Sequence, residues 1–243
     1  MSSNPLPEIS VVILCYRTGV FAKSFYKKVV EILSANNLDY EIVLVGNYKP
    51  NSGDATPQIV NELCSNNPRT TCVVKEKLNP KQAMGWDMNS GLSVARGESI
   101  TVIDGDGQMD PQDIPLLFKT LNEKKLDICK ARRISRGDGP YRKFISSTFN
   151  WIMKLLFPGI TSDVNGKPKI LTKDAYMKMN LESLDWFIDA EMMIKARRLG
   201  LTVGDIETDF YKNPERKSFV SFKANFEFLG NIVYWRIKEW GLM

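Results

Sequence analysis

An α/β fold built on an open, largely parallel sheet with helices on both faces is what this sequence predicts, and two observations carry the prediction. Short β-rich runs alternate with segments of helical period, and that β-α-β-α order is the pattern of a parallel sheet with crossover helices. No internal repeat or low-complexity linker interrupts the 243 residues, so one domain is the economical reading.

The elements follow in order. "ISVVIL" (9–14) reads as a first strand, and Phe21, Phe25, Val29 and Leu33 then recur at i, i+4 as one helical face. "YEIVLV" (40–45) precedes a helix near 57–65, and "TCVVK" (71–75) precedes another at 80–95. "SITVID" (99–104) leads into a helix at 111–125, where Pro111 suits a first helical turn. After "LDICKA" (126–131) the rhythm changes to a helix near 141–157, a loop at 159–168, a short strand 169–172, a helix at 187–199 and an extended run "LTVGDIETDFY". The chain then ends in an apolar-rich helix over 219–240. There, Phe222, Phe226, Leu229, Val233, Ile237 and Trp240 form one stripe, widened by Phe219, Phe228, Ile232 and Trp235. Core or oligomer packing and a membrane-surface helix are the two uses such a stripe has. The division expected is a nucleotide-type part (1–131), an acceptor-type part (132–218) and this terminal amphipathic helix (219–243).

Composition narrows the chemistry. The chain has no histidine, which removes His-based acid/base catalysis, Ser-His and Cys-His nucleophiles and His-ligated zinc. Cys15, Cys64, Cys72 and Cys129 lie in or beside apolar runs without a CxxC pair and read as reduced core residues. The N-terminus lacks the pattern of a secretory signal, and no apolar run reaches the ~18 residues of a membrane span. The expectation is therefore a cytoplasmic protein, or one peripheral at the inner face of the membrane. Net charge is +5, and residues 130–143 alone hold six Lys/Arg against one Asp, a local surplus that suggests an anionic ligand. That stretch has little aromatic interleaving beyond Tyr141, so nucleic acid is not the partner it points to.

"ESITVIDGDGQMDP" (98–111) carries the chemistry. Asp104 ends a strand, and in an extended chain residues i and i+2 project to one side, so Asp104 and Asp106 can converge. Two like charges a few ångströms apart need a cation or a shared proton, and Mg²⁺ or Mn²⁺ takes oxygen ligands while leaving positions for substrate phosphates. Gly105 and Gly107 leave room for a ligand close to the backbone, and Gln108 is placed to orient a metal-bound water. An ordinary Asp-Gly turn is the plainer alternative.

The company these residues keep resembles family 2 glycosyltransferases of the GT-A fold, in the branch of dolichol-phosphate mannose synthase and polyprenyl-phosphate sugar transferases. "AMGWDMNSGLSVARGESITVIDGDGQMDPQDIPLL" holds the family's Asn-x-Gly, Ala-x-Gly and DxD-x-Gln elements in order. "TSDVNGKPKILTKDAY" resembles the acceptor loop, "FIDAEMMIKARRLGLTVGDIETDF" the segment presenting an acidic residue over the sugar, and "NPERKSFVSF" the Arg-bearing loop that closes on the diphosphate. The pattern departs at the first two loops, where only Tyr16 is retained and Gly46 and Asn47 replace aspartates, and at Phe219, where a Gly is usual.

The resemblance implies an inverting transfer of a sugar from a GDP- or UDP-linked donor to a polyprenyl phosphate or a glycan hydroxyl. It places Asp104, Asp106 and Gln108 at the metal, and Leu14, Tyr16, Asn47, Asn89, Asp104 and Gly105 around the nucleotide and sugar. Arg132, Arg133, Arg142, Asp163, Gly166 and Ser221 would face phosphates or acceptor, with Arg216 closing on the diphosphate. Asp189 or Glu191 would take the proton if the acceptor is a hydroxyl, whereas an ionised lipid phosphate needs no base. Acidic residues in the first turn of a helix also favour its dipole whatever their chemistry. The rival readings are an inactive relative that binds sugar nucleotides or acts as a scaffold, and a nucleotidyltransferase, for which "LCYRTGVFAKSF" is a poor phosphate loop.

Overall fold

The computed structural model describes residues 6–136, 140–211 and 222–239, the side chains of 136, 140–142 and 222–226 excepted. Arg216, Ser221 and the side chain of Arg142 therefore lie outside the described residues. Seven strands form one sheet in the order β3-β2-β1-β4-β6-β5-β7. They are β1 (Ile9–Leu14), β2 (Tyr40–Val45), β3 (Thr70–Val73), β4 (Ser99–Asp104), β5 (Ile128–Arg136), β6 (Lys169–Thr172) and β7 (Val203–Phe210). β1 pairs in parallel with β2 and β4, β2 with β3, and β5 with β7; only β6 runs against its neighbours. The largely parallel sheet expected from the alternation is the one observed.

The inner strands β1, β2 and β4 are buried on both faces because helices cover both. Along β1, Ile9, Val11 and Ile13 pack with α1 (Phe21–Ala35), α2 (Thr56–Ser65) and α4 (Asp113–Glu123). Val12 and Leu14 point the other way, into a cluster shared with α3 (Met84–Leu92), α5 (Pro140–Leu156), α7 (Ile188–Arg198) and α8 (Phe222–Glu239). Gly91 lets α3 lie close on that face: a Cβ there would stand 2.4 Å from Val12 Cγ1.

Three elements and two cysteines differ from expectation. β5 continues to Arg136 because its basic residues meet acidic ones on β7: Lys130 lies 2.7 Å from Asp205, Arg132 pairs with Glu207, and Ser135 bonds Asp209. A short helix, α6 (Lys173–Met179), follows β6; its N-cap is Thr172, whose hydroxyl accepts from Ala175 N at 3.1 Å. α8 turns a different face inward. Phe228 packs on Phe149 and Phe187, and Ile232 and Trp235 are buried, while Leu229 and Val233 of the expected stripe are exposed. The helix is apolar on more than one side, so periodicity alone does not select the face. Cys15 and Cys129 are buried, but Cys64 and Cys72 are only half-buried; all four are free thiols.

Candidate active site

The carboxyl ends of β1, β2 and β4 meet at the place where the strand order reverses, with β2 and β3 on one side of β1 and β4 on the other. Such switch points are where open α/β sheets bind ligands. Leu14 stands opposite both Val45 and Asp104 in register. Gly105 N donates to Leu14 O at 2.9 Å, and a Cβ on Gly105 would meet that carbonyl and Ile13 at 3.1 Å.

Asp104 and Asp106 are brought to this edge, though not by strand alternation. β4 ends at Asp104 and the chain turns at once, with Gly107 at φ +77°. Asp106 Oδ1 accepts from Gln108 N at 3.1 Å, which shapes the turn. Gln108 is tied to the end of β7: its carbonyl accepts from Tyr211 N at 2.9 Å, and its side-chain amide donates to Tyr211 O at 3.4 Å.

A row of alternating charges runs inward from Asp104. Lys167 Nζ lies 2.9 Å from Asp104 Oδ1 and 3.5 Å from Asp189 Oδ2, and Lys169 Nζ lies 2.5 Å from Asp189 Oδ1 and 3.0 Å from Val164 O. Both lysines and Asp189 are buried. Burial works against the Lys167 ammonium, but Asp104 and Asp189 outweigh it and hold its pKa above the ordinary lysine value. Burial wins at Lys169, which is pulled down to about 8 despite Asp189. Burial alone would raise the pKa of Asp189, yet the two ammonium groups keep it below the usual carboxylate range.

Beside Asp104 is a second buried cluster. Asp87 of α3 accepts from Lys77 Nζ at 2.6 Å and from Asn47 Nδ2 at 2.9 Å, and Asn47 Oδ1 accepts from Lys75 N at 2.9 Å. Burial raises the pKa of Asp87 in spite of Lys77, and the charge of Asp104 adds to the rise. The Lys77 ammonium also stands over the Tyr16 ring, 4.1 Å from its centre. Asn47 is fully buried, with its amide committed to these partners. Asn89, expected near the sugar, instead donates to Ser183 O at 3.1 Å.

Glu191 is fully buried and faces the backbone. It accepts from Glu182 N and Ser183 N, both at 2.7 Å, and pairs with Lys195 at 2.7 Å. These bonds hold the segment before α7 against the start of α3, where Gly85 N donates to Asp185 O and Trp86 N to Leu184 O. Gly85 is needed for that approach, since a Cβ would lie 2.4 Å from Ser183 O.

The basic surplus of β5 is answered locally. Arg133 donates to Asp163 through both its backbone N and its Nε at 2.9 Å, and its guanidinium is a fork on that carboxylate. Arg132 is half-exposed beside Glu207. Of the expected phosphate-facing residues, Arg133 and Asp163 thus form a clamp on the loop before β6. Gly166 lies in that loop with no room for a side chain: a Cβ would stand 2.0 Å from Ala131 O. Burial would raise the pKa of Asp163, but Arg133 brings it down to about 2. A carboxylate depressed in this way stabilises the fold above its unfolded pKa of about 3.9, and the contribution fades as pH falls toward 2. Urea unfolding of wild type and Asp163→Asn should therefore show a gap in stability at pH 5 that narrows steadily below about pH 4.

Lys77, Asp87, Lys167 and Lys169 are the site residues that sequence reasoning missed. Lys169 left a trace: a lysine opening an apolar strand must either face water or find a buried anion.

A carboxylate pair thus stands at the switch point of this sheet, with buried charges behind it. The model of the family "Glycosyl transferase family 2" matches residues 10–188, and the chain belongs to that family as a glycosyltransferase. A dolichyl-phosphate beta-glucosyltransferase of Trichomonas vaginalis is 23% identical over 258 aligned residues, covering 98% of this chain and 76% of that protein. A dodecaprenyl-phosphate galacturonate synthase of Rhizobium johnstonii is 38% identical over 74 residues, 30% of this chain and 21% of that one. Among solved structures, the glucosyl-3-phosphoglycerate synthase of Mycobacterium tuberculosis in complex with Mn²⁺, UDP and phosphoglyceric acid superposes with a TM-score of 0.70 at 14% identity. That match covers 96% of this chain and 78% of the other. The mannosyl-3-phosphoglycerate synthase of Rubrobacter xylanophilus gives 0.69 at 16% identity, over 98% and 76%.

Proposed function

We propose that this chain transfers a sugar from a nucleoside diphosphate to a polyprenyl phosphate by a single displacement that inverts the anomeric carbon. The observation that carries the choice of acceptor is the state of the two carboxylates first expected to act as base. Asp189 is locked between two lysines with a lowered pKa, and Glu191 is spent on backbone amides and Lys195. A hydroxyl acceptor would need one of them to take a proton; a phosphate acceptor arrives already ionised. The relatives named for dolichyl-phosphate and dodecaprenyl-phosphate products support the same choice.

The donor set fits a cation that arrives on the diphosphate. No group of three or more acidic, His or Cys ligands occurs among the described residues, whereas Asp104 and Asp106 together supply the one or two carboxylates that Mg²⁺ or Mn²⁺ takes alongside substrate phosphates. Lys167 occupies only Oδ1 of Asp104. When bound, the metal would offset charge on the departing diphosphate. Solved relatives of the fold contain Mn²⁺ or Mg²⁺ with UDP. In this reading Asp106 and Asp104 hold the metal, and Tyr16 and Lys77 line the base side. Asn47, Asn89 and Glu191 position loops rather than touch substrate. Arg216 and Ser221 keep the roles the family pattern gives them.

The test is incubation with UDP- and GDP-sugars, Mn²⁺ and either a polyprenyl phosphate or the matching dephosphorylated polyprenol. Sugar appearing on the phosphate and not on the alcohol is the expected result. Transfer to a hydroxyl acceptor with a rate that rises through a carboxylate pKa would overturn it. Nucleotide binding without turnover on any acceptor would favour the inactive relative, the reading that Gly46 and Asn47 in place of aspartates keeps in view.

A further inference from the structure

We infer that α5 seats this chain on an anionic lipid bilayer through the face carrying Phe144, Trp151 and Leu155. α5 is apolar on two opposite sides. Phe149, Ile152, Met153 and Leu156 join the core, and Phe149 packs edge-on against Phe228 of α8. Phe144, Trp151 and Leu155 recur at i, i+7 and i+11, one stripe on the far side, and are 70%, 64% and 61% exposed. An amphipathic helix needs one apolar face for its own core, so the second, exposed one calls for an occupant.

Charge selects the occupant. The sequence of α5 carries Arg142, Lys143 and Lys154 and no acidic residue. Lys143 and Lys154 are both exposed, about a quarter-turn from the apolar stripe at 100° per residue. Two copies of such a face would bring like charges together, whereas an anionic membrane attracts them while Trp and Phe enter the headgroup boundary. No helix among the described residues is long and apolar enough to cross a membrane, so the contact is of the surface kind. The surface is separate from the C-terminal stripe first expected, whose Leu229 and Val233 are also exposed while the flanking Ile232 and Trp235 are buried.

The helix is also wired to the site. Asn150 Oδ1 accepts from Val164 N at 2.9 Å, in the loop that carries Asp163, Gly166 and Lys167. A membrane under α5 would thus present a lipid acceptor beside that loop. The purpose of the contact rests on the lipid-phosphate reading, but its existence does not, because vesicle binding is measured without donor or acceptor.

The experiment is flotation of the full chain with phosphatidylcholine vesicles, with and without phosphatidylglycerol. Wild type should float with the anionic vesicles and lose affinity at high salt. Phe144→Ser/Trp151→Ser should bind at least about tenfold more weakly, and Lys143→Gln/Lys154→Gln about tenfold more weakly. Circular dichroism and UDP calorimetry on both variants report folding, and the lysine pair decides if the aromatic pair fails to fold. Three results would each overturn the proposal: wild type that does not float, variants that float like wild type, or a dimer by light scattering that the aromatic pair dissolves. Flotation without sugar transfer to polyprenyl phosphate would sink the acceptor reading alone.

Discussion

Asp189→Asn should destabilise the fold by about 3–5 kcal/mol, the range for removing one partner of a buried ion pair. The carboxylate faces two buried ammonium groups, Lys169 at 2.5 Å and Lys167 at 3.5 Å. Lys167 would keep Asp104 as its counter-charge, but Lys169 would lose the carboxylate it pairs with and keep only neutral acceptors such as the Val164 carbonyl. An Asn can accept the same hydrogen bond, so the loss is of charge and not of shape. Lys169 already sits near 8 with its partner present. A lysine depressed below its unfolded value opposes folding while charged, and that opposition is relieved as pH rises from about 8 to about 10.4. Without Asp189 the relief should begin at lower pH, so urea midpoints of the variant should climb through neutrality where those of wild type do not. Asp189→Asn/Lys169→Met removes both charges and should recover part of the lost stability. A variant as stable as wild type at pH 7 would mean that these charges are solvated. Turnover of Asp189→Asn is informative only well below its own melting temperature, where a kcat close to wild type would agree with an acceptor that needs no base.

How much of this was legible beforehand differs between the fold and the site. Alternating apolar runs place every strand, and β6 falls on its expected residues 169–172, because a pattern buried on two faces is written locally. The reach of β5 was not legible, since Lys130 and Arg132 are accommodated in a strand by Asp205 and Glu207 of β7, more than seventy positions away, with the Ser162 carbonyl also accepting from Lys130. The same long-range pairing answers part of the basic cluster at 130–143: Asp205, Glu207 and Asp163 stand against Lys130, Arg132 and Arg133, while Lys143 stays exposed on α5. That Asp104 ends a strand and that a turn follows it at once was legible in the sequence. Lys167 was not, because a lysine in a Gly- and Pro-bearing loop reads as solvated until the fold brings it against Asp104, sixty-three residues earlier.

Asp106→Asn should leave stability almost unchanged and lower kcat/KM by about 10²–10³-fold, the scale for removing a group that stabilises developing charge. The two aspartates of the motif differ in what else they do. Asp104 is half of an ion pair with Lys167, and replacing it exposes Lys167 to the imbalance argued for Asp189. Asp106 adds to the field at Lys167 only after Asp104 and Asp189, and it accepts from Gln108 N in the turn, a bond that an Asn side-chain carbonyl makes equally well. Asn at 106 therefore keeps the turn and removes the negative charge, which makes it the cleaner probe of metal-borne donor binding. Calorimetry should show UDP or GDP binding that Mn²⁺ strengthens in wild type and does not strengthen in the variant, with melting temperatures within a degree or two of each other. Equal metal dependence in the two proteins would remove Asp106 from the metal and return the DGDG stretch to the status of a turn. Loss of nucleotide binding with a large fall in melting temperature would show instead that Asp106 is a structural residue, a result the Gln108 contact does not lead one to expect.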